Sequence, residues 1–397
     1  MMKKKLIVFI FAYKFKKQYI RRFDLNDISK QKYFDVECHQ LIDFIYPKFK
    51  KAFKRNDTHK SLKKFKTYLA WKMRIKHLRE KYKNNIILVN TVKSVCNKSF
   101  RINNFLNKTD IKLLELEDNF SSIYADEKSL FSSFKYLILN LFFNIKKIAR
   151  YIETNFYTNL KKIINKPRRF ILNSGKNNKY LFNKNIIKIE GNFPDFNMHL
   201  ATRKKRLKKY SQEKFALFLE AATPLSEGDR YISNDDKDVW GDPKIWFKNL
   251  NSFFDFVEKQ LKVQIKIAPH PKIKHKNLRP HYYSGRKIIR HDLAEIAKYS
   301  KFFISRSSSA MCYAVIYNKP AIFITNNKIM NGPKFRFQKS YSSKFGKDPI
   351  NIDKNLDLNN LKSNFIINKK KYRKFKINYL SVRNDNKRNF EIISKLI

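Results

Sequence analysis

Two short segments hold the residue types best suited to meeting a phosphate. The first is Ile265-Lys266-Ile267-Ala268-Pro269-His270-Pro271, an apolar strand that ends in His-Pro. In open α/β sheets, ligands bind beyond the carboxyl ends of strands, so His270 and Pro271 stand where a donor phosphate would be met. The plainer use of the same pair is a turn histidine ahead of a proline that fixes the backbone. The second is Phe302-Phe303-Ile304-Ser305-Arg306-Ser307-Ser308-Ser309-Ala310, a strand running into hydroxyl residues that open a helix over Ser308–Tyr317. Main-chain N–H groups at a helix start, with Ser307, Ser308 and Ser309 beside them, make an anion site, and any of these serines also serves as an ordinary N-cap. Transfer chemistry further needs a base for an acceptor hydroxyl. Glu220, Glu227 and Asp229, just after the strand Phe215–Leu219, are the candidates; solvated loop carboxylates are the alternative.

These residues require a layered scaffold, and the chain is long enough for two. Its 397 residues suit two domains of roughly 150–200 each, with 43% hydrophobic residues to build their cores. Apolar runs alternate with helical patterns: strands at Leu6–Tyr13, Tyr33–Cys38, Ile86–Asn90 and Ile111–Glu117, then Phe170–Asn173 and Ile186–Glu190. Helices are predicted over Val92–Asn107 and, in a long apolar and basic stretch, over Glu127–Ile164. Lys60–Tyr82 is predicted to be one amphipathic helix, packed on the sheet or lying on anionic lipid. Beyond the basic stretch Lys204–Lys209 the rhythm restarts, with strands at Phe215–Leu219, Gln264–Ala268, Phe302–Ser305 and Ala321–Thr325 and helices over Pro243–Leu261 and His291–Lys298. Strand alternating with helix predicts an α/β fold of two Rossmann-like domains, 1–205 and 206–397. The last helix is free to pack back on the first domain.

Composition narrows the function. The formal net charge is +54, from 87 Lys and Arg against 33 Asp and Glu. The cations are mostly Lys, scattered among Asn, Ile and Phe, whereas a nucleic-acid reader gathers them on one face or tail. No specific nucleic-acid partner is expected; attraction to an anionic membrane surface is the expected use, and a basic non-enzymatic binding protein is the alternative. Cys38, Cys96 and Cys312 are too far apart for a zinc site or a disulfide framework, which fits a reducing cytoplasm. The start imitates a signal peptide, but Leu6–Tyr13 lacks a small-residue cleavage site and runs into Lys14, Lys16 and Lys17, as a buried first strand would. The next longest apolar run, Tyr136–Phe143, falls far short of the ~20 residues that cross a bilayer. With 7 glycines, no Gly-rich nucleotide loop, no HExxH and no acidic cluster, neither a cofactor nor a catalytic metal is expected.

The run from Lys214 to Thr325 resembles the C-terminal half of bacterial surface-carbohydrate (capsule and O-antigen) biosynthesis proteins with the GT-B glycosyltransferase fold. The resemblance rests on Asp195-Phe196-Asn197, Phe218-Leu219-Glu220, Pro269-His270-Pro271, Gly285-Arg286, Ala294-Glu295-Ile296, Ser307 to Ser309 and Ala314-Val315-Ile316 before Lys319-Pro320, in that order. Over residues 1 to 194 it is weaker. The His-Pro and Ser-rich pair is also similar to motifs of bacterial sialyltransferases and Kdo transferases. That likeness implies a CMP-linked sugar donor, with His270 donating to its phosphate, Ser307 to Ser309 holding its oxygens, Glu295 on its ribose, and a glycan or lipid-linked glycan as acceptor. Their acidic-acidic-Gly motif lies in the N-terminal domain, unlike Glu227-Gly228-Asp229 here. The Ser-rich turn resembles teichoic acid polymerases too, which use CDP-polyols; those have Asp before the Ser pair, where this chain has Ser305-Arg306.

Overall fold

The computed structural model describes residues 4–47, 57–117, 149, 152–157, 159–160, 170–176, 187–221, 242–270, 280–289, 292–332 and 334–397. The run Tyr136–Phe143 and most of the helical stretch expected over Glu127–Ile164 lie outside the described residues. Seven strands, β1 (Lys5–Phe11), β2 (Phe34–Gln40), β3 (Leu62–Lys64), β4 (Ile86–Asn90), β5 (Lys112–Glu117), β6 (Phe170–Ser174) and β7 (Ile187–Gly191), form one parallel sheet in the order β3-β2-β1-β4-β5-β6-β7. Five more, β8 (Phe215–Leu219), β9 (Gln264–Ala268), β10 (Phe303–Ser305), β11 (Ala321–Thr325) and β12 (Ile350–Asn351), form a second in the order β12-β11-β10-β8-β9, again parallel throughout. The chain therefore has the two-sheet α/β architecture expected of it.

The central strands β1, β4, β8 and β11 are buried on both faces, which is why they read as continuous apolar runs. Along β1, Leu6, Val8 and Ile10 pack under Trp71, Ile75 and Leu78, while Ile7, Phe9 and Phe11 face Phe15, Leu25 and Ile28. In the second sheet Ala216, Phe218, Ile265 and Ile304 meet the amphipathic helix Pro243–Leu261 through Trp246, Leu250, Phe253 and Phe254. The opposite face buries Leu217, Leu219 and Phe323, with Phe193 and, from the helix Pro194–Thr202 that it precedes, Phe196 and Leu200.

Two expectations are corrected. Lys60–Tyr82 is two elements, because Leu62–Lys64 completes the edge of the sheet beside β2. The helix begins only at Tyr68, where the Thr67 hydroxyl accepts the Ala70 N–H at 3.2 Å and closes the first turn. Likewise the helix expected from Val92 starts at Asn97, since the Ser99 hydroxyl accepts the N–H groups of Val95 and Cys96.

The chain passes between the sheets twice, near 192–197 and 381–389, and side-chain amides bind the two passages together. Asn389 donates from its side chain to the Asn192 carbonyl (2.9 Å) and from its backbone to Asn197 Oδ1 (2.7 Å). Asn197 Nδ2 donates to Asp24 Oδ2 (2.9 Å), and Arg388 donates to both Asp24 (3.3 Å) and Asp27 (2.6 Å). From there the tail returns to the first sheet, burying Phe390, Ile392 and Ile393 against its outer face. Close approach is needed nearby: Gly175 has φ +97, and a Cβ there would meet the Asn378 backbone at 2.5 Å.

Asp24 is buried with a left-handed backbone, φ 53. Burial pushes its carboxyl up to about 7 against the lowering effect of Asn197 and Arg388. An unfolded Asp titrates near ~3.9, so between these values the folded state holds the extra proton. Its stabilising contribution is complete below about pH 4 and is lost as pH rises toward 7. The stability of wild type relative to Asp24→Asn, measured by urea unfolding, is expected to fall over that window by up to roughly 1.4 kcal/mol per pH unit. A difference that stays flat with pH contradicts this.

Candidate functional site

In the second sheet β8 lies between β9 and β10, so the chain progresses outward in both directions from it. Such a reversal of strand order opens a crevice at the carboxyl ends. Leu219 pairs with Ala268 and Phe218 with Ile304. Glu220 therefore leaves the sheet between Pro269-His270 on one side and Arg306-Ser307 on the other. His270 and Ser307 stand two strand spacings apart, roughly 10 Å, within the span of one nucleotide diphosphate.

Directly under this edge is a buried polar cluster. Glu220 is 5% exposed and accepts a hydrogen bond from the Tyr283 hydroxyl, while its main-chain N–H donates to the Ala268 carbonyl at 3.0 Å. Burial raises its carboxyl to about 7, opposed by Tyr283, the Arg306 charge and the His270 N–H. Arg306, 3% exposed, lies over the Trp246 ring at 5.4 Å; burial lowers it to about 10 and the Glu220 charge works the other way, so it stays cationic at neutral pH. Its carbonyl accepts from Gln338 Nε2 at 2.8 Å. Neither Arg306 nor Tyr283 was a candidate on sequence, although Arg306 is the one charge in the run Phe302–Ala310.

The predicted site residues divide accordingly. His270 follows β9 and is half-buried. Ser307, Ser308 and Ser309 follow β10, but the helix expected from Ser308 is a 3-10 turn at Ser309–Met311 leading into Cys312–Ile316. The Ser308 hydroxyl caps that turn, accepting from Ala310 N–H at 3.3 Å, and its own N–H donates to Ser305 Oγ at 3.0 Å. Ser308 thus fills the ordinary capping role. Glu220 is too enclosed to meet an acceptor hydroxyl directly. Glu295 accepts from Lys205 at 2.9 Å and Arg21 at 3.3 Å, joining the two domains in place of an open ribose contact. Arg21 also pairs with Asp292. Asp195, of the Asp195-Phe196-Asn197 motif, is held above the usual carboxylate range by burial beside Cys312. Glu227, Asp229 and Pro271 lie outside the described residues.

Elsewhere, a cavity of about 540 Å³ lies against the edge strand β3, lined by His59, Lys63, Lys64, Phe65 and Arg74 among others. Among the described residues, no group of three or more His, Cys, Asp or Glu side chains converges as metal ligands would, and no helix is long and apolar enough to cross a membrane.

The fold is that of known two-domain proteins. The wall teichoic acid polymerase TagF superposes with a TM-score of 0.50 at 13% identity, covering 99% of this chain and 89% of that one. A putative UDP-N-acetylglucosamine 2-epimerase from Listeria monocytogenes gives 0.50 at 11% identity, covering 96% and 93%. The UDP-GlcNAc 2-epimerase from Neisseria meningitidis, bound to UDP-GlcNAc, gives 0.45 at 11% identity, covering 99% and 98%. No protein-family model and no curated protein matches the sequence. What the structures share with this chain is the fold, two Rossmann-like domains of the GT-B type.

The cluster makes a prediction. Glu220→Gln removes the carboxylate whose charge Arg306 feels and is expected to cost about 1–3 kcal/mol, the scale of leaving a buried polar group poorly partnered. Adding Arg306→Met is expected to recover most of that loss in a urea-unfolding double-mutant cycle. A cost under about 1 kcal/mol for the single change, or additive losses, would show that the two groups are not coupled.

Proposed function

We propose that the protein transfers a sugar from a nucleotide-activated donor to a glycan or lipid-linked glycan acceptor in the synthesis of a surface polysaccharide. The observation that supports this is the reversal of strand order at β8, with His270 and Ser307–Ser309 following the two strands, β9 and β10, that flank it in a GT-B-type fold. In such a transfer the acceptor oxygen attacks the anomeric carbon, and the bonding pair leaves with the donor phosphate. A hydrogen-bond donor fixed beside that phosphate acts on charge as it develops, where it is most effective. His270 is assigned that role, with Ser307 and Ser309 beside it, and no metal is invoked. Glu220 is assigned a positioning role, because its carboxylate holds the His270 N–H. The base falls to Glu227 or Asp229. The donor class follows the CMP-sugar likeness of the His-Pro and Ser-rich motifs.

A second reading is polyol-phosphate transfer from a CDP-polyol, supported by the fold likeness to TagF. Against it stands Arg306: buried over Trp246, it takes the position where those polymerases have Asp.

Thermal shifts of the purified chain with CMP, CDP, UDP, GDP, their sugar conjugates and CDP-glycerol separate these possibilities. Stabilisation by CMP or a CMP-sugar, lost in His270→Ala without a change in the apo midpoint, is the expected result. A response to UDP or GDP keeps the transferase and replaces the donor, and one to CDP-glycerol alone selects the second reading. No response from folded protein contradicts both.

A further inference from the structure

The helix Tyr68–Tyr82 covers the first sheet with Trp71, Ile75 and Leu78, yet its opposite side mixes apolar residues with Lys76 and Glu80. Leu69 and Met73 stand there, 65% and 62% exposed. They are one turn apart and form a single apolar ridge on the face that a sheet-covering helix ordinarily gives to polar residues. A second ridge lies in the same layer. Tyr68 meets Phe105 of the neighbouring helix Asn97–Lys108, and Phe100 of that helix meets Tyr157, at ring separations of 6.4 and 5.7 Å. The helical segment 152–157 exposes Ile152 and Phe156, again four residues apart, each at 57%. Four large apolar side chains are therefore presented from one helical layer.

The charge around them has one dominant sign. Lys66, Lys72, Lys76, Lys98, Arg101 and Lys108 belong to the two long helices and their flanks; Glu80 is the only carboxylate of the helix Tyr68–Tyr82, Asn97–Lys108 has none, and the segment 152–157 carries one, Glu153. A second copy of the chain would bring the same basic face and another +54 of net charge, so self-association is disfavoured. Apolar ridges set among lysines suit a surface that is anionic outside and hydrocarbon beneath.

We propose that this face docks on an anionic lipid bilayer, with Leu69, Met73, Ile152 and Phe156 entering the interfacial layer and the lysines meeting lipid phosphates. Each cation brought to such a surface strengthens partitioning roughly five-fold. The proposal rests on this surface alone and not on the nucleotide site. Its role would be to hold the chain where a lipid-linked acceptor is found.

The test is co-sedimentation of the full chain with vesicles of phosphatidylcholine, with and without phosphatidylglycerol, for wild type and for Leu69→Gln with Met73→Gln. That pair of changes alters no charge and no buried residue. Ile152→Gln with Phe156→Gln provides a second, independent variant. Binding that requires phosphatidylglycerol and weakens at least about ten-fold in both variants, with unchanged unfolding midpoints and unchanged nucleotide shifts, is expected. The proposal is overturned if the variants bind as wild type does, if lipid charge makes no difference, or if they lose duplex DNA binding equally, which would mark a general polyanion surface. A change in oligomeric state instead of vesicle binding would assign the ridges to a second copy and overturn it as well. A failed nucleotide shift with intact vesicle binding would leave the docking face standing and remove only the transferase.

Discussion

The relative placement of the two sheets depends on side-chain amides at the double chain crossing. Asn192, Asn197 and Asn389 each offer both donors and acceptors, so they can satisfy main-chain groups on the two passages without charge. Asp24 adds the one buried carboxyl, and Arg388 reaches it from the returning tail. Because Asn192, Asn197 and Asp24 are buried, each partner lost to them would leave an unsatisfied polar atom at a cost of about 1–3 kcal/mol. The crossing is therefore specified by geometry, and the outer ion pairs of Arg21 with Asp292 and Glu295 are set by it.

The crevice in the second sheet depends on a different constraint. Five parallel strands that grow outward from β8 leave Glu220 and Arg306 side by side at the reversal. Neither group is cheap to bury alone, and the interior that penalises them singly also strengthens their interaction. The Tyr283 hydroxyl donates to Glu220 and Arg306 lies over the Trp246 ring, at the same strand ends that His270 and Ser307 follow. Under the proposed function, a phosphate-binding group gains most when its support does not reorganise during reaction, and that is the role proposed for this cluster. The same reasoning separates Glu220 from a base: raised to about 7 it has a suitable affinity for a proton, but geometry comes first and its oxygens face inward.

Much of the fold was legible because parallel strands buried on both faces are mostly apolar; β1, β4, β8, β9 and β11 lie within a residue or two of where the apolar runs place them, β9 in spite of its buried Lys266. The short edge strand β3 was hidden in a basic stretch, Leu62–Lys64, whose pairing with β2 is a tertiary fact and leaves no local pattern. His270 and Ser307 follow strand ends as the sequence places them. Glu295 was visible too, but its neighbours Arg21 and Lys205 lie 274 and 90 positions away in sequence, so its ion pairing could not be read. Arg306 and Tyr283 were missed for the same reason, since a buried cation shows itself only through the partners that surround it. The serines illustrate the remaining ambiguity: capping and anion binding use the same residues, and only the bond from Ala310 to Ser308 distinguishes them.

The most direct measurement is a crystal structure of the chain with a bound donor nucleotide. The donor phosphates are predicted beyond the carboxyl ends of β8, β9 and β10, within hydrogen-bond reach of the His270 side chain and the Ser307–Ser309 turn, with the Glu220 and Arg306 cluster unmoved beneath them. A nucleotide seated elsewhere, such as against the first sheet or in the cavity beside β3, with His270 untouched, would contradict the assignment of the site.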